Sequence, residues 1–255
     1  MLRLAGPLQS WGDYSEYNQR RSADQPTKSG IVGLLAAADG RDRNADIKDL
    51  TALTLGVRID EPGTLLRDYH TVSDYTGEPL LSAAVTARGV QKPATLSSGK
   101  KHTHVTERFY LQDAVFVIAL SGPADQLEHL RQALRHPAFP LALGRRSCPP
   151  TLPLILPPSK GTLWTGDPAT VLATVPWQPY LVRTWTTRDP APLYRTLPIT
   201  VDDPHGTDTR YDCPVTFAPT ARQFRARRVR CEHVTVPTHI DGAAATPPDW
   251  FTLLD

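Results

Sequence analysis

Short apolar runs in the first half of the chain predict strands that alternate with helices. Uninterrupted apolar or β-branched runs predict strands over residues 2–4, 53–59, 114–120 and 141–143. Apolar residues at helical spacing predict helices over residues 31–38, about 45–50 and 123–136. Most of the 25 prolines lie after residue 136, which predicts short strands and many loops in the second half.

The order of these elements predicts an α+β fold with a ferredoxin-like first domain. Strand, helix, strand, insertion, strand, helix, strand is the order of the split-βαβ unit, which RNA-recognition domains share. We place this domain at residues 1–150, with an insertion at about 64–110, and a small β-rich domain at residues 151–255. Because the ferredoxin-like fold hosts many functions, the order of elements alone assigns none.

The insertion is predicted to be a long extended hairpin. Residues 65–72 and 103–110 have strand character but are too polar for a core, and glycines and prolines lie between them. The same segment carries a basic patch, made of Lys100, Lys101, His102 and His104. Such an arm can hold a nucleic-acid backbone electrostatically, and the alternative is a solvated loop with scattered lysines.

Composition is that of an ordinary globular protein. Charged residues make up 21% and hydrophobic residues 40%, and the net charge of +2 is too small to indicate a nucleic-acid partner by itself. The three cysteines have no zinc-type spacing, which predicts reduced thiols. We expect a cytoplasmic protein without a membrane span, a signal peptide or a cofactor.

A glycine and two arginines follow the predicted strand at 141–143. Gly144, Arg145, Arg146 and Ser147 combine a permissive backbone with charged and neutral donors that suit phosphate oxygens. The segment therefore predicts either a site for a polyanion or a surface turn with two solvated arginines.

Other basic and aromatic residues allow two interpretations each. Trp11, Tyr14 and Tyr17 can stack on unpaired bases or pack as core. Five arginines occur within residues 222–230, where strand geometry places Arg228 and Arg230 on one face and Arg225 and Arg227 on the other. One face can bind phosphates and the other acidic neighbours, whereas a solvated strand is the commoner arrangement.

Two patterns resemble known sites only in part. Lys28 and Ser29 at a helix start form half of an anion site but lack the rest of a P-loop. His102 and His104 have no third ligand nearby, so no metal is expected.

A set of residues in the insertion has the chemistry for RNA cleavage. Tyr69 and His70, near Lys100, Lys101 and His104, can form a general acid/base set without a metal.

Five segments together resemble one protein family over most of the chain. They are LRLAGPLQSWG (2–12), PTKSGIVGLLAA (26–37), LRDYHTV (66–72), YLQDAVFVIAL (110–120) and LGRRSCPP (143–150). The chain thus resembles the CasD family of the RAMP superfamily, subunits of type I-E CRISPR Cascade complexes that bind the 5′ handle of CRISPR RNA. The resemblance implies a ferredoxin-like RAMP domain with a protruding β-hairpin "thumb" and a small C-terminal β-rich domain.

The resemblance also implies roles for individual residues. Gln9, Ser10 and Trp11 are expected to line the handle site, and Arg145, Arg146 and Ser147, with Gly144, to hold its backbone. The thumb would span Arg67 to Arg108, with Tyr69 and His70 among its RNA contacts. Lys28 and Ser29 are further expected contacts.

The implied partners are those of an RNA-guided complex. They are CRISPR RNA, the backbone subunit, the large subunit that reads the PAM, and target DNA indirectly or near the PAM. The sequence therefore predicts a non-catalytic RNA-binding subunit for antiviral defence. The alternative is a metal-independent endoribonuclease that processes precursor CRISPR RNA.

Overall fold

The computed structural model describes residues 1–12, 15–16, 19–73, 103–179 and 193–238. Its strands are β1 (Leu2–Ala5), β2 (Leu8–Gln9), β3 (Ser15–Glu16), β4 (Gln19–Arg20), β5 (Thr54–Glu61), β6 (Thr64–Ser73), β7 (Thr103–Gln112), β8 (Val115–Ser121), β9 (Tyr194–Asp202), β10 (Asp208–Thr216) and β11 (Gln223–Pro237). Its helices are α1 (Lys28–Ala38), α2 (Lys48–Ala52), α3 (Ala124–Arg135) and α4 (Pro168–Thr174).

Six strands form one antiparallel sheet in the order β1-β8-β5-β9-β11-β10. A mixed helix-and-strand fold is thus confirmed. The predicted strand at 114–120 is β8 and lies between β1 and β5, with Leu4 opposite Phe116 and Val57 opposite Ile118. Because both of its edges are paired, β8 is an interior strand.

Both faces of β8 are covered, which explains its unbroken apolar sequence. Phe116 and Ile118 belong to the main core, which α1 and α3 complete. Val117 and Ala119 point to the other face, as strand alternation requires, and pack with Leu172 of α4. Helix α4 has a sequence signal of its own, since Asp167 caps it with hydrogen bonds from two backbone N–H groups.

A second sheet is built on β7. Strand β6 pairs with β7 along ten residues on one side, and β2 and β4 pair with it on the other. The strands predicted at 65–72 and 103–110 are therefore confirmed, and they pair antiparallel. Residues 74–102 lie outside the described part of the structure.

The predicted strand at 141–143 is wrong. Leu143 instead closes a loop, because its N–H bonds the Cys148 carbonyl at 2.7 Å and its carbonyl accepts from the Ser10 N–H at 3.0 Å. Pro140 precedes this segment and offers no N–H for a ladder. The outer edge of β1 is instead met by residues 151–156, with a bridge between Leu2 and Ile155 and a hydrogen bond from the Arg3 N–H to the Leu154 carbonyl at 2.6 Å.

The second half of the chain also departs from the prediction of short strands. Strands β9 and β10 have nine residues each and β11 has fifteen. Gly56 of β5 lies opposite Val201 of β9, so the sheet continues from the first half into the second. The division into domains at residue 150 stays a prediction.

The described part of the chain contains no helix that combines the length and apolar character needed to cross a membrane. Cys148, Cys213 and Cys231 are free thiols.

Candidate nucleic-acid interface

The loop that begins at Gly144 packs closely against Ser10, the residue that follows β2. Gly144 has φ +88°, and a Cβ at this position would lie 1.8 Å from the Ser10 carbonyl oxygen. The Cys148 N–H closes the loop by donating to the Arg145 carbonyl at 2.9 Å. Only glycine fits here, since any side chain would meet both an unfavourable φ and the Ser10 backbone.

The two arginines of this loop have different surroundings. Arg145 is half-buried, donates from Nη2 to the Arg20 carbonyl at 2.7 Å, and stands 4.9 Å from the centre of the Tyr110 ring. Arg146 is exposed and makes no hydrogen bond or ion pair with the residues that the structure describes. Arg145 thus braces the loop, whereas Arg146 has no partner within the described part of the chain.

An open groove of about 1250 Å³ runs from this loop along α1. Among the described residues that line it, Asp42 is the only acidic one. The groove's arginines are Arg20, Arg21, Arg41, Arg43, Arg145, Arg146 and Arg222.

Six of these seven arginines have no ion-pair partner among the residues that the structure describes. Arg41 is paired with Asp39 and Asp49 at N–O distances of 2.8 and 2.6 Å. The other six form no ion pair within the described ranges. Fixed cations lining a concave surface attract polyanions and hold their phosphates.

The β6–β7 hairpin adds a further arginine to this side of the molecule. Arg20 of β4 and Asp68 of β6 both lie in register with Arg108 of β7. Residues in register share a face of the sheet, so Arg20, Asp68 and Arg108 lie on one face. Tyr110, two positions further along β7, lies on the same face, and the Arg145 guanidinium stacks over its ring. Arg108 is exposed and continues the arginine row towards the hairpin.

The remaining predicted residues of β6 divide between the two faces. His70 shares the Arg108 face, and its Nδ1 lies 3.3 Å from Asp68 Oδ2. Tyr69 is 55% exposed on the opposite face, where Arg67 lies 3.6 Å from Glu107. Consecutive strand residues point apart, so the predicted pair of Tyr69 and His70 does not converge.

Gln9, Ser10 and Trp11 are buried beneath the loop. Gln9 Nε2 donates to the carbonyls of Leu4 and Ala114, and its Oε1 accepts from Trp11 Nε1 at 3.1 Å. Ser10 Oγ donates to a carbonyl of β7 at 3.0 Å. Of the two interpretations of Trp11, core packing is therefore the observed one.

Lys28 and Ser29 are also buried and bonded within the protein. Lys28 Nζ lies 2.7 Å from Asp202 Oδ2, and its backbone N–H donates to Asp212 Oδ2 at 2.8 Å. Arg227 bonds both carboxylates. The anion that the start of α1 attracts is thus a carboxylate of the chain itself, and the predicted acidic neighbours of Arg227 are observed.

This buried charge cluster lowers the pKa of one of its acids. Burial by itself raises the pKa of Asp212, but hydrogen bonds and charge from Arg227, together with the Lys28 backbone N–H and the charge of Arg210, outweigh that effect and bring the pKa below its ordinary value. Asp212 is therefore ionised when the protein is folded at neutral pH.

Some predicted site residues fall outside the described structure. Tyr14, Tyr17, Lys100, Lys101 and His102 are among them, and for His104 only the backbone pairing with Val72 is described. Within the described ranges no three His, Cys, Asp or Glu residues group as a metal site would require.

The sequence prediction assigned no role to four arginines of the groove, which are Arg20, Arg21, Arg41 and Arg43. Arg20 and Arg21 form an adjacent basic pair that could have drawn attention, but Arg41 and Arg43 carry no local signal. Arg222 belongs to the predicted run at 222–230, and it meets the other arginines because β4, the segment after α1 and the start of β11 converge at the groove.

Comparisons with known proteins identify the family. The family described as CRISPR-associated protein (Cas_Cas5) matches residues 1–230. The chain is 37% identical over 187 residues to the CRISPR system Cascade subunit CasD of Escherichia coli (strain K12), which covers 68% of this chain and 74% of that protein.

Two solved structures share the fold over most of its length. One, from a CRISPR RNA-guided surveillance complex, has a TM-score of 0.70 at 30% identity and covers 92% of this chain and 90% of its own. The other, the crystal structure of a Cas protein, has a TM-score of 0.63 at 34% identity and covers 92% and 96%. The predicted resemblance is confirmed, and the chain belongs to the CRISPR-associated protein (Cas_Cas5) family.

Proposed function

We propose that this chain is a non-catalytic RNA-binding subunit of a type I-E CRISPR surveillance complex, and that it binds the 5′ handle of CRISPR RNA. The observation that carries the proposal is the groove with six arginines that form no ion pair in the described part of the chain. A single-stranded RNA supplies the phosphates that such a surface lacks.

Within this proposal some residues contact the RNA and others hold the groove in shape. Arg20, Arg21, Arg108 and Arg146, with the Ser147 hydroxyl, bind phosphates from the exposed side. Arg145 positions the loop through its hydrogen bond to the Arg20 carbonyl and its contact with the Tyr110 ring. Buried residues such as Gln9, Trp11 and Lys28 hold the groove in shape and do not touch RNA.

The finer architecture follows the same proposal. We assign β1, β8 and β5, with α1 and α3, to a ferredoxin-like RAMP domain, since the order β1-β8-β5 is the central part of that sheet. The β6–β7 hairpin is its thumb, which folds over the RNA.

The proposal that the subunit is non-catalytic rests on the hairpin geometry. A general acid and base for RNA cleavage must reach one scissile phosphate together. Tyr69 and His70 point to opposite faces, and His70 is directed to Asp68. The endoribonuclease alternative therefore has less support than the binding role.

The proposed partners follow from the relatives. One relative is named as a Cascade subunit and a second belongs to an RNA-guided surveillance complex. We propose that this chain caps such a complex in the cytoplasm, beside the backbone subunit and the large PAM-reading subunit. Contact with target DNA would be indirect or near the PAM.

Salt dependence of RNA binding tests the groove. The full chain is titrated with an RNA that carries the 5′ handle of the organism's own repeat, with and without Arg21→Ala and Arg146→Ala together. Each lost phosphate contact lowers the slope of log K against log salt by about 0.7, so the double variant should lose about 1.4. Arg135→Ala with Lys160→Ala removes the same charge from exposed positions outside the groove and should leave the slope unchanged.

Two further results would overturn the proposal. One is an unchanged slope for the groove variant. The other is specific cleavage of labelled precursor RNA at the handle boundary by the purified chain in EDTA, which would favour the endoribonuclease.

A further inference from the structure

The arginine groove runs along α1, and its two ends differ. Trp11, beneath the Gly144 loop, packs against Gly30 near the start of the helix. Phe139 lies at the other end, where its N–H donates to the Ala37 carbonyl at 3.2 Å. Since a helix rises about 1.5 Å per residue, these two points are about 10 Å apart. The two ends can therefore contact different ligand groups.

The part of the groove away from the arginine loop is apolar, and we name it the apolar section. Two of its side chains are open to solvent, since Phe139 is 49% exposed and Phe224 is 44% exposed. Phe217 belongs to the same section, and its ring tip lies beside Gly33 of α1. Exposed apolar side chains grouped on a concave surface are typical of interaction sites. The residues of the section are Phe139, Pro140, Leu141, Phe217, Pro219 and Phe224.

Gly33 forms the floor of this section, and the packing of the described residues does not require a glycine there. A Cβ built on Gly33 would meet only the Phe217 ring, at 3.9 Å, which is an ordinary contact. A Cβ on Gly30, by contrast, would meet the Trp11 ring at 2.7 Å. Glycine inside a helix is unfavourable relative to alanine. The missing side chain at Gly33 thus keeps open a space that suits a ligand lying close to the helix.

Part of the positive charge around the apolar section is offset. Arg41 is paired with Asp39 and Asp49, and Asp42 is the acidic residue of the groove lining. The carboxyl end of α1, at Ala38, adds partial negative charge. Phosphates are therefore attracted to this section less than to the arginine loop.

Two classes of occupant can be compared on these grounds. An RNA strand would bring phosphates towards Asp42 and the carboxyl end of α1, although unpaired arginines lie at the other end of the groove. An apolar side chain of a protein would cover the exposed phenylalanines and fill the space over Gly33. Arg43 and Arg222 form no ion pair within the described ranges, so acidic residues flanking that side chain would complete the fit.

We propose that the apolar section docks a short segment of a neighbouring protein subunit, which places an apolar side chain over Gly33 and acidic residues at Arg43 and Arg222. A protein partner is the class expected here, because one relative is named as a subunit of a Cascade complex. The docking uses none of the arginines assigned to RNA contacts above. The groove thus holds RNA at one end and protein at the other.

Assembly of the complete complex tests the docking. All subunits of the organism's own complex are co-expressed with guide RNA, purified through a tag on another subunit, and washed at about 0.5 M salt, which weakens phosphate contacts. The amount of this chain that is retained is measured by quantitative mass spectrometry. Phe139→Ser with Phe224→Ser, and separately Gly33→Leu, should each reduce the retained amount about tenfold.

Matched variants separate docking from folding. Leu193→Ser with Tyr194→Ser removes two side chains that are 74% and 65% exposed outside the groove, and it should leave the retained amount unchanged. Gly33→Ala adds only the Cβ that fits beside Phe217, so it should have little effect. Gly33→Leu removes no contact and improves helix propensity, so its Tm should be no lower than that of the wild type.

RNA titration distinguishes this inference from the proposed function. The purified Phe139→Ser, Phe224→Ser and Gly33→Leu chains should bind the handle RNA with wild-type affinity and salt dependence. Weaker RNA binding by these variants would show that RNA occupies the apolar section and would overturn the docking, as would full retention of the variants in the complex.

A second copy of the chain is the remaining possible occupant. Sedimentation of the purified wild-type chain should show a monomer, and a dimer that Gly33→Leu abolishes would overturn the docking of another subunit. If the wild-type chain failed to bind handle RNA, the RNA-binding role would fail and the docking would stand.

Discussion

Arginines occur in two regions of this chain with opposite surroundings. In β11, Arg227 contacts Asp202 and Asp212, and Lys28 joins the same buried cluster. In the groove, Arg20, Arg21 and Arg146 face solvent without a carboxylate among the described residues. The same residue type thus serves the fold in one place and is left for a ligand in the other.

This contrast shows that a run of arginines in the sequence need not form a basic surface in the fold. A charge run such as 222–230 looks like the strongest basic site in the sequence. Its central arginine is neutralised by acids from β9 and β10, and the Lys28 contacts to these acids span 174 and 184 residues. Apart from Arg41, the groove arginines come from separate segments and form no ion pair within the described ranges, so their charges repel one another.

Removing the shared acid of the β11 cluster should have the largest effect. Asp212→Ala removes one of the two buried carboxylates that pair with Arg227 and leaves the buried backbone N–H of Lys28 without its acceptor. We expect the free energy of unfolding to fall by about 3–5 kcal/mol, measured by urea denaturation. Asp24→Ala, at an exposed position, is the control and should change it by less than about 0.5 kcal/mol. Equal losses for both variants would show that the cluster is not a structural element.

Gly144→Ala should have the next largest effect and act on the groove. The added Cβ meets the Ser10 carbonyl and an unfavourable φ, so the loop must shift. We expect a loss of about 2–3 kcal/mol in the free energy of unfolding, together with weaker RNA binding. Gly161→Ala shares a positive φ of +74° but meets nothing within 4 Å, and should cost only about 1 kcal/mol. If the two variants were equally stable, the close contact with Ser10 would be irrelevant.

Sequence patterns predicted the elements with local signals and missed those that depend on distant contacts. The β8 strand, α1 and α3 follow from apolar runs and caps within their own residues. The loop at Leu143 does not, because its partners are Ser10 and Cys148 rather than a neighbouring strand.

The candidate site shows the same limit. The Gly144 loop was predicted as one of two alternatives, since glycine and arginine together suit phosphate. The sequence does not reveal that Asp202 neutralises Lys28, because the two residues are 174 positions apart along the chain. The missing information is which charges the fold places side by side.

A smaller effect should separate the two loop arginines. Arg145→Ala removes the bond to the Arg20 carbonyl and the contact with the Tyr110 ring, so it should lower the free energy of unfolding by about 1 kcal/mol. Arg146→Ala should change it by less than about 0.5 kcal/mol, yet weaken RNA binding and flatten its salt dependence. Urea denaturation and RNA titration of both variants are the measurements. The reverse pattern would show that Arg146 braces the loop and Arg145 binds.

The smallest expected effect is a pH dependence confined to the β11 cluster. Asp212 faces Lys28, Arg210 and Arg227. Burial raises its pKa, but Arg227, the Lys28 backbone N–H and the charge of Arg210 together lower it further, so the folded pKa lies below the ordinary value. Its contribution to stability is thus complete above the unfolded pKa of about 3.9 and is lost as the pH falls through the lower folded pKa.

Urea denaturation of the wild-type chain across this acidic range should therefore show falling stability. In the Asp212→Asn variant the free energy of unfolding should depend less steeply on pH in this range. Part of the dependence should remain, because the pKa values of Asp39 and Asp49 are also lowered. If the free energy of unfolding of the variant and the wild type changed equally with pH, Asp212 would not be the cause of the acid sensitivity. The proposed RNA contacts are guanidinium groups and do not include Asp212, so RNA binding by the folded chain should not weaken in this range, and acid then separates the region that supports the fold from the region proposed to bind.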